Sequence, residues 1–218
     1  MQTPRVIAIS GPKYSGKDTA ASSLLGLRSM PDKRGFVFCR MPFAAGVKNI
    51  CQEVFGWDPY LLEDPILKEQ KTEDYPFIEP RWPMMDIANW MRDKYGGDVW
   101  VRRNARLINE IHATRPYWAY VITDWRFPEE TEWLQSLGPS ALKVYVQRDE
   151  AENALLAAQR GGNEMALNPS ELHYTNTKAA ADLILYNNRE IHHMQNTLIS
   201  AVRSHFGYWY PDEAVTHL

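Results

Sequence analysis

The stretch Val6-Ile7-Ala8-Ile9-Ser10-Gly11-Pro12-Lys13-Tyr14-Ser15-Gly16-Lys17-Asp18-Thr19 decides the reading of this chain. Val6 to Ile9 is a short apolar run ahead of a glycine, the profile of a buried parallel strand entering a tight turn. From Lys17 to about Leu27 the residues favour a helix, with Ala20, Ala21, Leu24 and Leu25 on its apolar side. Between the two lies G-x-x-x-x-G-K, Gly11 to Lys17, in the strand–loop–helix context that a phosphate-binding loop requires. Phosphate needs several convergent backbone donors. A glycine-rich turn entering a helix supplies them, together with the positive end of the helix dipole. Gly11 lets the chain turn, Gly16 leaves room for phosphate, Lys13 and Ser15 lie within the loop, and Lys17 would reach the transferring groups.

One position departs from the motif. Ser or Thr is expected directly after the lysine, and Asp18 stands there with Thr19 next. A carboxylate at 18 would hold Mg²⁺ directly or through water, since that ion favours oxygen ligands and keeps several waters. Thr19 then becomes the hydroxyl donor to a phosphate. The plainer reading makes Asp18 a first-turn acid stabilised by the helix dipole.

Outward from the loop, strands are predicted at Phe36–Arg40, Trp118–Thr123, Ala141–Val146 and Asp182–Tyr186. Helices are predicted at Phe43–Phe55, Met84–Lys94, Asp98–His112, Glu129–Leu137, Ala151–Gln159 and Ile191–Phe206. Strands alternating with helices imply an α/β fold with an open parallel sheet covered on both faces. Gly56 to Pro83 holds Pro59, Pro65, Pro76, Pro80 and Pro83, which disfavours a long regular element there. Its Trp, Tyr and Phe content predicts a packed excursion.

The 218 residues suffice for one sizeable domain. A net charge of -3 excludes a general cationic coat for nucleic acid and leaves room for a local basic cleft. The two cysteines, Cys39 and Cys51, make neither a disulfide framework nor a thiolate cluster, and Cys39, in an apolar run, reads as buried. No stretch approaches the roughly 18 apolar residues of a membrane helix. The N-terminus turns polar too early for a signal peptide. A reducing cytoplasmic compartment is expected.

Further candidate residues follow from strand ends, where doubly wound sheets bind ligands. Asp124 follows a predicted strand and would anchor Mg²⁺ or orient the acceptor; Arg126 would clamp a phosphate bidentately. Arg148 follows the next strand, and Arg160 precedes Gly161-Gly162. Arg102, Arg103 and Arg106 form a basic helical face, and Lys48 lies in the helix after Phe43. The six histidines show no metal-ligand spacing.

With these residues in hand, the chain resembles the deoxynucleoside monophosphate kinase family of large tailed bacteriophages. The resemblance rests on Ser15-Gly16-Lys17-Asp18-Thr19, Asp included, and on Phe43-Ala44-x-x-Val47-Lys48. It rests also on Asp124-Trp125-Arg126-Phe127-Pro128-Glu129-Glu130, similar to "D-x-R-F-P-x-E", and on Pro169-Ser170-Glu171 followed by Asp182-Leu183-Ile184 and Asn187-Asn188. Asn168 replaces the His of the family's "H-P-S-E". The resemblance implies one P-loop kinase domain over 1–218, three-layer α/β/α with a five-stranded parallel sheet of order 2-3-1-4-5. Within it, 43–115 would be a helical acceptor-binding region, with Phe43, Lys48, Arg102, Arg103, Arg106 and Arg126 on the substrate. Residues 148–177 would form a lid carrying Arg160. Lys17, Asp124, Arg126, Arg148 and Arg160 would be catalytic, with Asp18 and Asp124 on the metal. The reaction implied passes the terminal phosphoryl of ATP, with Mg²⁺, to a deoxynucleoside monophosphate in an infected bacterial cytoplasm. A homodimer is implied as well. The rival keeps the loop and changes the acceptor, for instance to a hydroxymethyl-pyrimidine in DNA. Free nucleotide is favoured over DNA.

Overall fold

The computed structural model describes residues 3–26, 37–64, 66–73, 78–159, 173–188 and 190–207. Residues Phe43–Arg106 form one unit, and the remainder of the chain on both sides forms a second.

The second unit is built on five parallel strands: β1 (Arg5–Ser10), β2 (Val37–Arg40), β3 (Trp118–Ile122), β4 (Ala141–Gln147) and β5 (Leu183–Tyr186). Their order is β2-β3-β1-β4-β5, so β1 is central and the predicted topology holds. Its register pairs Ala8 with Ile122 of β3 and Ser10 with Tyr145 of β4. All six residues of β1 are buried, which explains why it reads as a continuous apolar run rather than an alternating one.

Two helices close one face of the sheet, α1 (Lys17–Gly26) and α9 (Ile191–Phe206). Ile7, Ile9, Val121, Val144 and Val146 pack there against Ala20, Leu24, Met194, Leu198 and Val202. Burial of an aliphatic side chain of this kind contributes roughly 1.5–3 kcal/mol, so this layer holds α1 and the loop before it in place. Against the other face lie α6 (Pro128–Ser136), α8 (Tyr174–Ala180) and the C-terminal half of α5 (Val99–Thr114). That makes three layers. Helix α7 (Glu150–Gln159) follows β4. Helix α8 was not predicted. Its short polar run YTNTKAA has no apolar period, and Tyr174 and Thr177 reach burial through tertiary packing.

The unit Phe43–Arg106 is helical: α2 (Ala45–Phe55), α3 (Pro59–Glu63), a single 3₁₀ turn at Leu67–Glu69, α4 (Arg81–Tyr95) and the start of α5. Helix α2 ends at Gly56, whose φ of 69° supplies the left-handed cap. Helix α4 starts at Arg81 rather than Met84, because Pro83 falls in its first turn, where a missing N–H costs nothing. Cys39 is only half-buried; Cys51 is the buried cysteine, and burial pushes its thiol up to about 11. No described helix is long and apolar enough to cross a membrane.

Candidate phosphate-binding site

The loop between β1 and α1 is pinned at both glycines. Gly11 has φ 147°, and a Cβ there would strike the Val146 carbonyl and lie 2.7 Å from Ser15 Oγ. Gly16 has φ 97°, and a Cβ there would collide with the Asn187 amide. Tyr14 takes φ 67°, a left-handed conformation that costs a non-glycine residue of order 1–3 kcal/mol. Such strain persists only where surroundings over-determine it. Here Ser15 N–H donates to Pro12 O at 3.1 Å, and Ala20 N–H to Gly16 O at 2.9 Å, starting the helix.

Within this turn, Ser15 Oγ is buried with no hydrogen-bond partner. Arg148 comes to the same place: its Nη2 lies 3.8 Å from where a Gly16 Cβ would be, and its Nε is buried and unpartnered. Leaving buried polar atoms open costs about 1–3 kcal/mol each, and these two lie together at the loop, where a bound phosphate would satisfy them. The Lys17 side chain is 12% exposed, with Nζ 3.8 Å from Asp18. Asp18 is 69% exposed and 3.8 Å from Arg40 Nη2 on its other side. A carboxylate between two cations, at the first turn of α1, fits the dipole reading, and its exposure leaves it within reach of a phosphate-bound cation. Thr19 is exposed on the same turn, and Lys13 Nζ sits over the Tyr14 ring at 5.2 Å. These residues fit a polyphosphate. Among the described residues no three His, Cys, Asp or Glu side chains gather to hold a metal by themselves. Mg²⁺ here would be held by Asp18 together with phosphate oxygens and water, the arrangement that ion prefers.

Asp124 stands beside the loop in register. Two residues on from the Ala8–Ile122 pair, it falls level with Ser10 at the carboxyl edge of the sheet. The segment around it is built for presentation. Trp125 is fully buried and donates from Nε1 to Thr131 Oγ1 at 2.9 Å. Glu130, 3% exposed, accepts from the amides of Arg126 at 2.7 Å and Phe127 at 3.0 Å. Pro128 opens α6, where its fixed φ fits. Arg126 is left half-buried, its guanidinium over the Tyr174 ring at 5.6 Å. The "D-x-R-F-P-x-E" signature thus divides into two presented residues, Asp124 and Arg126, and a clamp.

In the helical unit the expected substrate residues separate. Phe43 is buried, so its ring is a packing group. Lys48 Nζ pairs with Glu63 at 2.6 Å. Arg102 pairs with Asp98 and donates to the Tyr95 carbonyl at 2.6 Å. Arg106 is exposed. Arg103 differs: it packs against Gly46, hydrogen-bonds Asn104 Oδ1 at 2.9 Å, and forms no ion pair with a described carboxylate. Burial, and then the charge of Arg106, lower its pKa. Arg160, and the Asn168 to Glu171 segment, lie outside the described residues.

Residue-by-residue reading missed Arg40 and gave Asn187 no role. Arg40 is the polar end of an apolar strand, a visible signal. Asn187 had only its place in the resembling segment, and its role needs the fold.

No protein-family model matches the chain. A chain of Acanthamoeba polyphaga mimivirus, named "Putative deoxynucleotide monophosphate kinase", is 24% identical over 212 residues, covering 90% of this chain and 95% of its own. Among solved structures, dephospho-CoA kinase from Campylobacter jejuni is similar with a TM-score of 0.48 at 12% identity, covering 91% of this chain and 96% of that one. Shikimate kinase from Acinetobacter baumannii in complex with shikimate gives 0.40 at 13% identity, with 93% of each chain covered. The strand order, with a G-x-x-x-x-G-K loop joining central β1 to α1, is that of the P-loop kinase fold.

Proposed function

We propose that this chain transfers the terminal phosphoryl of ATP to a deoxynucleoside monophosphate, giving the diphosphate and ADP. The observation that carries the proposal is the cradle at Gly11–Lys17, with Ser15 Oγ and Arg148 Nε buried and unpartnered around it. The acceptor class is supported by the viral relative, matched over 95% of its length, and by the segments that resemble the phage enzymes.

In this reading Lys17, the loop amides and Arg148 hold the donor phosphates and neutralise charge on the transferring group. Asp18 and Asp124 would hold Mg²⁺, which would supply positive charge to neutralise the leaving ADP. Asp124 and Arg126 would face the acceptor from the next strand; Arg103 is proposed separately as a substrate contact of the helical unit. A monophosphate is already largely ionised at neutral pH, so the chain needs to supply position rather than a strong base.

An acceptor panel with ATP and Mg²⁺ tests this, covering all ribo- and deoxy-monophosphates and a hydroxymethylated DNA duplex. ADP release is expected with one or more deoxynucleoside monophosphates. No ADP with any monophosphate overturns the proposal, and label transferred to the duplex moves the function to the DNA-directed rival.

A further inference from the structure

Asn187 is the first residue after β5, at the edge of the sheet and two strands away from the phosphate loop. It is nevertheless only 5% exposed, and its side chain reaches the loop itself. Its Nδ2 donates to the Ser15 carbonyl at 2.8 Å, across 172 residues of sequence. The orientation of the amide follows, because a carbonyl oxygen can be met only by its NH₂ side. Its own backbone N–H donates to Gln147 O at 2.7 Å, which fixes the residue to the end of β4. Asn188 adds a second tie, its Oδ1 accepting from Asp149 N–H at 3.0 Å, next to Arg148.

The consequence lies in the peptide plane. Ser15 C=O and Gly16 N–H belong to one trans, planar unit and point in opposite directions. Drawing the carbonyl toward Asn187 therefore turns the Gly16 N–H away from it. Gly16 has φ 97° and no side chain to resist rotation of this peptide, so the Asn187 bond adds a direct hold on it to the backbone bonds on either side. The Asn187 amide also occupies the space where a Gly16 Cβ would be, which requires glycine at 16.

We propose that Asn187 is a positioning residue of the phosphate site: it sets the Ser15–Gly16 peptide so that the Gly16 amide donates to the bound polyphosphate. This rests on the proposed role of the loop in binding ATP. An amide held in place before the ligand arrives spares the ordering cost of binding, and removing the tie transfers that cost to ATP affinity.

The test uses full-length Asn187→Leu, of similar size but unable to donate, and Asn187→Ala. MgATP affinity is measured by calorimetry and fold by thermal melting. Both variants are expected to lose about tenfold in ATP affinity, the size of one well-placed hydrogen bond with its buried acceptor left open. A role in packing alone predicts a lower melting temperature with ATP affinity in the folded protein unchanged. Affinity within twofold of wild type in both variants overturns the proposal. Should neither variant fold, ¹⁵N spectra of the wild type decide: the Gly16 amide must shift strongly on MgATP addition, and a Gly16 resonance that stays put while Lys17 moves overturns it. A wild type that binds no ATP removes the underlying reading and this inference together. A wild type that binds ATP beside equally competent variants removes the inference alone.

Discussion

Around the phosphate loop two buried polar atoms, Ser15 Oγ and Arg148 Nε, have no partner; the helical unit also buries Trp57 Nε1 and Arg92 Nε without a hydrogen bond, but there Lys48, Arg81 and Arg102 each hold a carboxylate. Both regions are rich in cations, and sequence alone treats them alike. Pairing separates Arg148, whose Nε is open beside the loop, from Lys48, Arg81 and Arg102, whose charge is used for structure. Lys17 lies 3.8 Å from Asp18, and its role rests on its place in the loop. A half-exposed ion pair contributes only about 0–1 kcal/mol to stability, but it occupies the cation geometrically. Arg103 differs from Lys48, Arg81 and Arg102. It is half-buried beside Arg106 and, like Arg148, paired with no described carboxylate.

The largest effect is expected at Lys17, the lysine of the loop itself. Lys17→Ala should lower turnover about 10³-fold, because charge on the transferring group is felt most in the transition state. Its melting temperature should stay near wild type. A folded variant with near-normal turnover in a coupled ADP assay would overturn the role of the loop in phosphoryl transfer.

Alkaline pH separates the regions by stability. In the helical unit, burial raises the Cys51 thiol from 9.0 to about 11. In the sheet unit, burial, followed by the nearby Cys39, raises the Tyr120 hydroxyl from 10.0 to about 12. Both are acids kept neutral in the fold, so the native state binds more protons than the unfolded chain above the lower value, and stability falls as pH rises. The contribution of Cys51 is complete below pH 9 and disappears through about 11; that of Tyr120 follows about one unit higher. Each is worth on the order of 2 kcal/mol. Urea unfolding at stepped pH should show a flatter alkaline slope for Cys51→Ala, starting near pH 9, and for Tyr120→Phe, starting near pH 10. Identical slopes in wild type and variants would refute the buried-acid account.

The smallest effect is the sharpest test of pairing. Arg103→Ala should raise the acceptor KM about tenfold with kcat little changed, the signature of a lost ground-state contact. Arg102→Ala, whose guanidinium is tied to Asp98 and the Tyr95 carbonyl, should change KM by less than about threefold. The reverse order would mean that intramolecular pairing does not predict which arginine meets the substrate.

The legible parts of this chain were those set by neighbours in sequence. The run Val6–Ile9, the glycine spacing and the apolar side of α1 fixed a strand, a loop and a helix together. Helix α9 was predicted at its observed bounds, Ile191–Phe206, because its apolar period is long and unbroken. The start of α4 and the whole of α8 were not predicted. Pro83 looks like a breaker until its place in the first turn is known, and YTNTKAA carries no periodic signal. Arg102, Arg103 and Arg106 could be placed on one helix but not ranked, since their partners Asp98, Tyr95 and Asn104 matter only through side-chain geometry.

Taken alone, the sequence determined that a phosphate loop sits between a buried strand and a helix, and that strands and helices alternate through the chain. Local sterics and periodicity suffice for both. Only the tertiary structure decided what surrounds that loop. Parallel strands are joined by long crossovers, so residues far apart in sequence meet at one sheet edge. Ser10 bonds Thr177 at 2.9 Å, Asp18 lies 3.8 Å from Arg40, and Asn187 holds Ser15 at 2.8 Å. No spacing rule links positions 15 and 187; the order β1-β4-β5 and the reach of one amide side chain bring them together.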